Sequence, residues 1–194
     1  MSNNYFKVIR SGVNSTFQDN GRPNLYHLGI PFSGAMDNRN YLLANKLVEN
    51  NLNNPVIEFA YQGPHLQYIG EKTNFVITGD VSFKIKSKNS EIEGNCYESY
   101  EINNEDEINI LNTNKSVYGY LSLSGKFDVS YQWGSCSTNT KSKIGANNGD
   151  KLQDRQIINI SKINENFNKR RINYVNSKIE KIRVLKGTNF DYFS

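Results

Sequence analysis

A mainly β fold of antiparallel strands, arranged as a barrel with one clear helix, is what this sequence predicts. Three observations lead there. Short segments rich in Val, Ile, Phe and Tyr recur at 5–9, 56–61, 74–78, 81–86, 107–111 and 117–123. Turn formers separate them: Gly63 with Pro64, Gly79 with Asp80, Asn89 with Ser90, Asn103 with Asn104, and the run 112–114. Only one stretch, about 38–49, has helical periodicity.

In that helix Leu43, Ala44, Leu47 and Val48 form an apolar stripe. Asp37 is the expected N-cap, because its carboxylate can accept from N–H groups left open in the first turn. The stretch 50–55 ends the helix at Pro55, and the helix should plug or flank the barrel. From 157 to 177 the chain turns polar, with Asn164, Asn166, Asn168, Lys169, Arg170 and Arg171, and reads as a linker or crossing segment. Beyond it, "KIEKIRVL" at 178–185 alternates like a half-buried strand.

Composition narrows the classes. With 194 residues the chain can bury a sizeable core. Mean hydropathy is −0.66, much of it asparagine, yet twelve Tyr and ten Phe argue against disorder. The net charge of +4 is mild, and no helix-turn-helix, zinc-finger or RNP-like pattern accompanies it, so no nucleic-acid partner is expected. Cys96 and Cys136 lack metal spacing and read as free thiols of a reducing compartment. The N-terminus has no apolar signal core and no run is long enough for a membrane span, which predicts a cytoplasmic protein.

The densest polar wording is QDNGRPNLYHLGIPFSGAMDNRNYLLANKL at 18–47. Arg22, between Gly21 and Pro23, could aim its guanidinium at a carboxylate, or pair structurally with Asp19 or Asp37. His27 could move protons or simply bond backbone. Glu58 faces away from Ile57 and Phe59, so in an interior it must be paired or protonated. Gly-Ser turns at Ser33-Gly34 and at Gly134, Ser135, Cys136, Ser137 and Thr138 offer donors for an anionic oxygen. No P-loop, Ser-Xaa-Xaa-Lys, Gly-Xaa-Ser-Xaa-Gly or HExxH motif is present, so neither direct nucleotide binding nor an independent hydrolytic nucleophile is indicated.

That stretch, together with "PVIEFAYQGP" at 55–64, "FVITGD" at 75–80, "GYLSLSGKFDV" at 119–129, "WGSCSTNTKSKIGANNGDKL" at 133–152 and "KIRVLKGTNFDYF" at 181–193, resembles the biotin-dependent carboxyltransferase family known as allophanate hydrolase subunit 2 or the 5-oxoprolinase C subunit. The resemblance implies a cyclophilin-like barrel and one component of an assembly. With B-type and A-type partner subunits, that assembly opens 5-oxoproline to glutamate at the expense of ATP; in urea-degrading relatives the domain serves a biotin-dependent carboxyltransferase. ATP would then belong to the complex, biotin to the carboxyltransferase form, and neither is evident in this chain. A non-catalytic docking module, or an inactive fragment, is the alternative.

The resemblance also implies a first lobe over 1–157, a linker over 158–177 and the opening strand of a second lobe over 178–194, as in a truncated or split protein. Lys126, in "SGKFDV", stands where the family carries a second glycine and is expected to loosen that turn. The candidate site comprises Asp37, Glu58 and His27 for chemistry, and Arg22, Ser33, Gly34, Asn45, Gly134, Ser135, Ser137 and Thr138 for substrate. Arg22 and the loop 33–37 are expected to line the largest polar concavity, with 134–138 on its rim. Removing the Arg22 side chain should then cost activity rather than folding.

Overall fold

The computed structural model describes residues 4–161, 163, 168–173, 184–187 and 190–192. Its strands are β1 (Asn4–Arg10), β2 (Asn14–Gln18), β3 (Val56–Ala60), β4 (His65–Ile69), β5 (Thr73–Thr78), β6 (Val81–Ser87), β7 (Ser90–Glu93), β8 (Ser99–Ile102), β9 (Glu107–Thr113), β10 (Tyr118–Leu123), β11 (Lys126–Phe127) and β12 (Ile157–Ser161). They form a seven-stranded sheet ordered β11-β12-β1-β4-β9-β6-β7 and a five-stranded sheet ordered β2-β3-β10-β5-β8. The mainly β, antiparallel reading holds, but the closed barrel does not. No named strand pairs across from one sheet to the other; they meet instead through side chains.

Side-chain alternation builds the layers. Phe6 and Val8 of β1, Leu66 of β4 and Ile108 of β9 meet Phe17 of β2, Ile57 and Phe59 of β3 and Leu121 of β10 in one core between the sheets. The opposite face of the five-stranded sheet carries Val56, Val76 and Tyr120, covered by helix α1 (Asn38–Leu47) through Tyr41, Ala44 and Leu47. β3 is therefore buried on both faces, which places Glu58 in an interior beneath the helix.

The helix ends earlier than expected: Val48 is its C-cap and Glu49 has φ +60. Asp37 caps it as anticipated, accepting from Asn40 N–H at 3.1 Å. β2 has one apolar residue, Phe17, and hid among polar ones. β12, placed in the polar linker read from the run beyond it, is a sheet strand: Ile158 and Ile160 are buried and pair with Phe6 and Asn4. Residues 170–172 also lie against the body, Ser99 N–H donating to Arg170 O at 2.8 Å and Ile172 N–H to Tyr97 O at 3.0 Å. Lys126 lies in the short strand β11. It pairs with Ser161, and its ammonium lies 4.9 Å from the centroid of the Tyr131 ring. The strand expected at 178–185 falls outside the described residues except for Val184 and Leu185, which are exposed.

Candidate functional site

Asp19 follows β2 directly as a buried carboxylate, with four donors converging on it. Oδ1 accepts from the hydroxyls of Ser135 and Ser137, both at 2.6 Å, and from Gly21 N–H at 2.8 Å; Oδ2 accepts from Cys136 N–H at 2.8 Å. Burial pushes its pKa upward, but these bonds together outweigh burial and hold the group below its ordinary value. Beside it Arg22 is 1% exposed. Its Nη2 donates to Ser137 O at 2.6 Å and Ser135 O at 3.4 Å, and its Nε to Gln132 O at 3.4 Å. Burial lowers the guanidinium's pKa, and the charge of Asp19 opposes that shift. The arginine thus clamps the loop 132–137 to the start of the loop 20–36.

A second network holds the end of that loop. Met36 N–H donates to Glu58 Oε2 at 2.7 Å, and the Tyr120 hydroxyl donates to the same oxygen at 2.8 Å. Tyr120 in turn accepts from Asp37 N–H at 2.6 Å. Burial raises the pKa of Glu58; the Met36 and Tyr120 bonds lower it in part, and Asp37 adds to the rise. Burial, followed by the charge of Glu58, also pushes the Tyr120 phenol up. Glu58 is therefore an interior carboxyl whose neutral form is favoured beyond the usual range, and it sets the entry angle of α1.

The cavity of interest opens on the other side of that helix end. It encloses about 640 Å³, within the range of small-molecule sites, between the first turn of α1, the β5–β6 turn, the segment 94–97, Lys115 and Ser116, and 171–173. Its floor is a hydrogen-bonded chain: Gly79 N–H donates to the Tyr97 hydroxyl at 3.1 Å, which donates to Asn40 Oδ1 at 2.8 Å, while Asn40 Nδ2 donates to Asp37 Oδ2 at 2.7 Å. Cys96, another lining residue, donates its thiol to Val81 O, and burial pushes that thiol up to about 11.

Of the residues singled out in the sequence, the structure brings Arg22, Ser135 and Ser137 into one network and Asp37 and Glu58 into another. Of Arg22, the loop 33–37 and the loop 134–138, expected to border one polar concavity, only Asp37 lines this cavity. Ser135, Ser137 and Thr138 are buried with their hydroxyls engaged, Thr138 donating to Ala146 O at 3.2 Å. Asn45 is buried too, donating to Asn54 O at 2.9 Å and accepting from the Ser122 hydroxyl at 2.9 Å, so it fastens α1 to the sheet. Ser33 accepts from Asn139 Nδ2 at 3.4 Å, Gly34 packs its backbone on Gly21, and His27 and Gly134 are exposed away from the cavity. The sequence reading missed Tyr120, Tyr97, Lys115 and the cavity role of Arg171. It also undervalued Asp19, although Asp-Asn-Gly is an Asx-turn signature, and the Gly21 N–H bond to its Oδ1 realises that turn.

A two-sheet body with one helix pinned over a polar cavity is the architecture of a carboxyltransferase-type domain. The family profile described as carboxyltransferase domain, subdomain A and B, matches residues 28–194, and the chain belongs to that family. It is 32% identical over 154 residues to a urea amidolyase of Lachancea kluyveri, covering 79% of this chain and 8% of that protein. It is 31% identical over 139 residues to the 5-oxoprolinase C subunit of Haemophilus influenzae, covering 72% of this chain and 44% of that protein. The crystal structure of the Kluyveromyces lactis urea carboxylase matches with a TM-score of 0.75 at 30% identity, over 80% of this chain and 14% of that one. The chain thus spans less than half the length of each of these relatives. The resemblance read from the sequence is borne out at the level of the family.

Proposed function

We propose that this chain is a cleft-forming lobe of a multi-component enzyme acting on a small carboxylate or amide, either an ATP-dependent 5-oxoprolinase or a biotin-dependent carboxyltransferase of the urea amidolyase kind. The observation that carries this is the loop 20–37, anchored at one end by Asp19 and Arg22 and at the other by Glu58 and Tyr120, so that the head of α1 is presented rigidly to an open polar cavity. The names of the relatives support the same class.

Within this reading the chain positions and desolvates substrate, and the chemistry is completed by B-type and A-type partners; the isolated chain is inactive. Asp37 and Asp80 are the carboxylates that line the cavity, and Glu58 acts through Tyr120 as a positioning group rather than as a direct proton donor. The cavity turns carry no Gly-Lys-Ser/Thr loop, so ATP is assigned to a partner in the assembly. In the carboxyltransferase form biotin would supply the carboxyl group to be moved, and Lys115 and Arg171 on the cavity rim fit a carboxylated ring. The free thiols Cys96 and Cys136 suit a reducing, cytoplasmic setting, and no helix among the described residues is long and apolar enough to cross a membrane.

One observation favours a second reading, a docking module without catalysis. The loops flanking the anchored region expose Tyr26 by 70%, Met36 by 67% and Trp133 by 56%, side chains that another polypeptide would cover. Co-expression with A-type and B-type subunits separates the two. ATP-dependent glutamate release from 5-oxoproline, or urea-dependent ATP turnover with a biotinylated partner, is expected only from the assembly. A stable complex lacking both activities would leave the docking module.

A further inference from the structure

The cavity at the head of α1 has its carboxylates engaged and its two rim cations open. Asp37 accepts from Asn40 through both oxygens, and Asp80 accepts from Asn114 Nδ2 and Lys115 N–H, each at 3.1 Å. Lys115 and Arg171 stand exposed at the rim, and among the described residues neither side-chain cation donates a hydrogen bond. Glu98, the carboxylate that feels Arg171, is paired with Lys169 at 3.2 Å. Such a donor surplus calls for a ligand that brings acceptors.

The backbone sharpens the ligand class. A phosphate site is built from converging N–H groups. Here the N–H groups of Gly79, Asp80 and Tyr97 donate to the Tyr97 hydroxyl, Ser116 Oγ and Ile77 O, and those of Gly94 and Asn95 to Phe83 O and the Tyr100 hydroxyl. With these five N–H groups engaged, the open donors identified among the described residues are a planar guanidinium and an ammonium, which suit a carboxylate.

We propose that this cavity binds a small carboxylate through Arg171 and Lys115, over the rigid floor of Gly79, Tyr97 and Asn40. The assignment deepens the reading above and rests on it only for which carboxylate is bound.

The test is a titration of the full ¹⁵N-labelled chain with 5-oxoproline, glutarate, 2-pyrrolidinone and inorganic phosphate. Both carboxylates are expected to shift the amides of 79–80, 94–97 and 115–116 saturably. 2-Pyrrolidinone, which lacks the carboxylate, should not, and phosphate should bind more weakly. Arg171→Gln and Lys115→Gln should each weaken binding about tenfold while leaving the thermal melt unchanged, because both side chains are exposed. Several results overturn the site: no saturable shift with either carboxylate, shifts unaltered in both variants, phosphate binding as tight as carboxylate, or shifts centred on 132–138. Glutarate binding without 5-oxoproline binding upholds the site and removes 5-oxoproline as the substrate. Carboxylate binding here, with no turnover by the reconstituted assembly, upholds the site and removes the enzymatic reading.

Discussion

The Asp19 cluster and the cavity at α1 are both polar, both border the loop 20–37, and differ in how far the protein's own groups complete them. Around Asp19 two hydroxyls and two backbone N–H groups satisfy the carboxylate, and Arg22 bonds the loop carbonyls through Nε and Nη2, its buried Nη1 alone lacking a partner. At the cavity the carboxylates are satisfied and the cations are not. Polar density in a sequence therefore marks where backbone has to be held. A ligand is recruited where donors remain open, and only the folded chain shows that.

Substitutions that exchange the two behaviours test the contrast most directly. Asp19→Ala leaves two hydroxyls and two N–H groups buried without their acceptor, and should lower unfolding free energy by about 3–5 kcal/mol in urea denaturation. Arg22→Ala strips donors from the carbonyls of Ser137 and Ser135, with an expected loss of about 2–4 kcal/mol. This replaces the expectation that Arg22 could be removed at little structural cost. If Arg22→Ala melts like the wild-type protein, the closed character of the first region is wrong.

Acid titration should separate Asp19 from Glu58 at the level of about 1 kcal/mol. Asp19 titrates below its ordinary 3.8 in the folded protein, so its stabilisation is complete above that value and is lost as pH falls through the lower, folded one. Glu58 titrates above its ordinary 4.5, so its contribution is complete below 4.5 and is lost as pH rises through the higher, folded value. Difference curves of stability against pH, wild type minus Asp19→Asn and wild type minus Glu58→Gln, should therefore slope in opposite directions. Parallel slopes would mean that the two carboxyls share one environment. The smallest effect is expected for His27→Ala, an exposed side chain outside both regions, whose melt should move by no more than about 0.5 kcal/mol.

How much of this was legible follows from where each signal resides. The helix and its Asp37 cap were readable because stripe and cap are local, β3, β5, β6 and β9 because Val, Ile and Phe mark them, and β10 because Tyr and Leu do. β2 escaped because Ser15, Thr16 and Gln18 are buried polar residues, satisfied in part by distant partners, as Gln18 Nε2 is by Thr138 O. In the site, Glu58 could be flagged from its apolar neighbours, since strand alternation is local too. The burial of Arg22 depends on carbonyls more than a hundred residues away, at Ser135 and Ser137. Lys115 and Arg171 meet at one rim only because residues 170–172 return to the edge beside β8, a long-range pairing that no local pattern encodes.

The loop's base has a consequence for how such a protein can be remade. Arg22 N–H donates to Phe32 O at 2.9 Å and Ala35 N–H to Asp19 O at 3.0 Å; a Cβ on Gly21 would lie 2.8 Å from Phe32 O, and one on Gly34 would lie 3.1 Å from Gly21 N. The excursion between those stems is cinched like the neck of a bag, so its crown, with Tyr26, His27 and Leu28 exposed, contributes little to holding the body together. Doubling the length of the crown would add only about 0.6 kcal/mol of chain-closure entropy. The neck is the invariant and the crown the exchangeable cassette: new sequences can be grafted above Arg22 and Phe32 while α1 keeps its aim at the cavity.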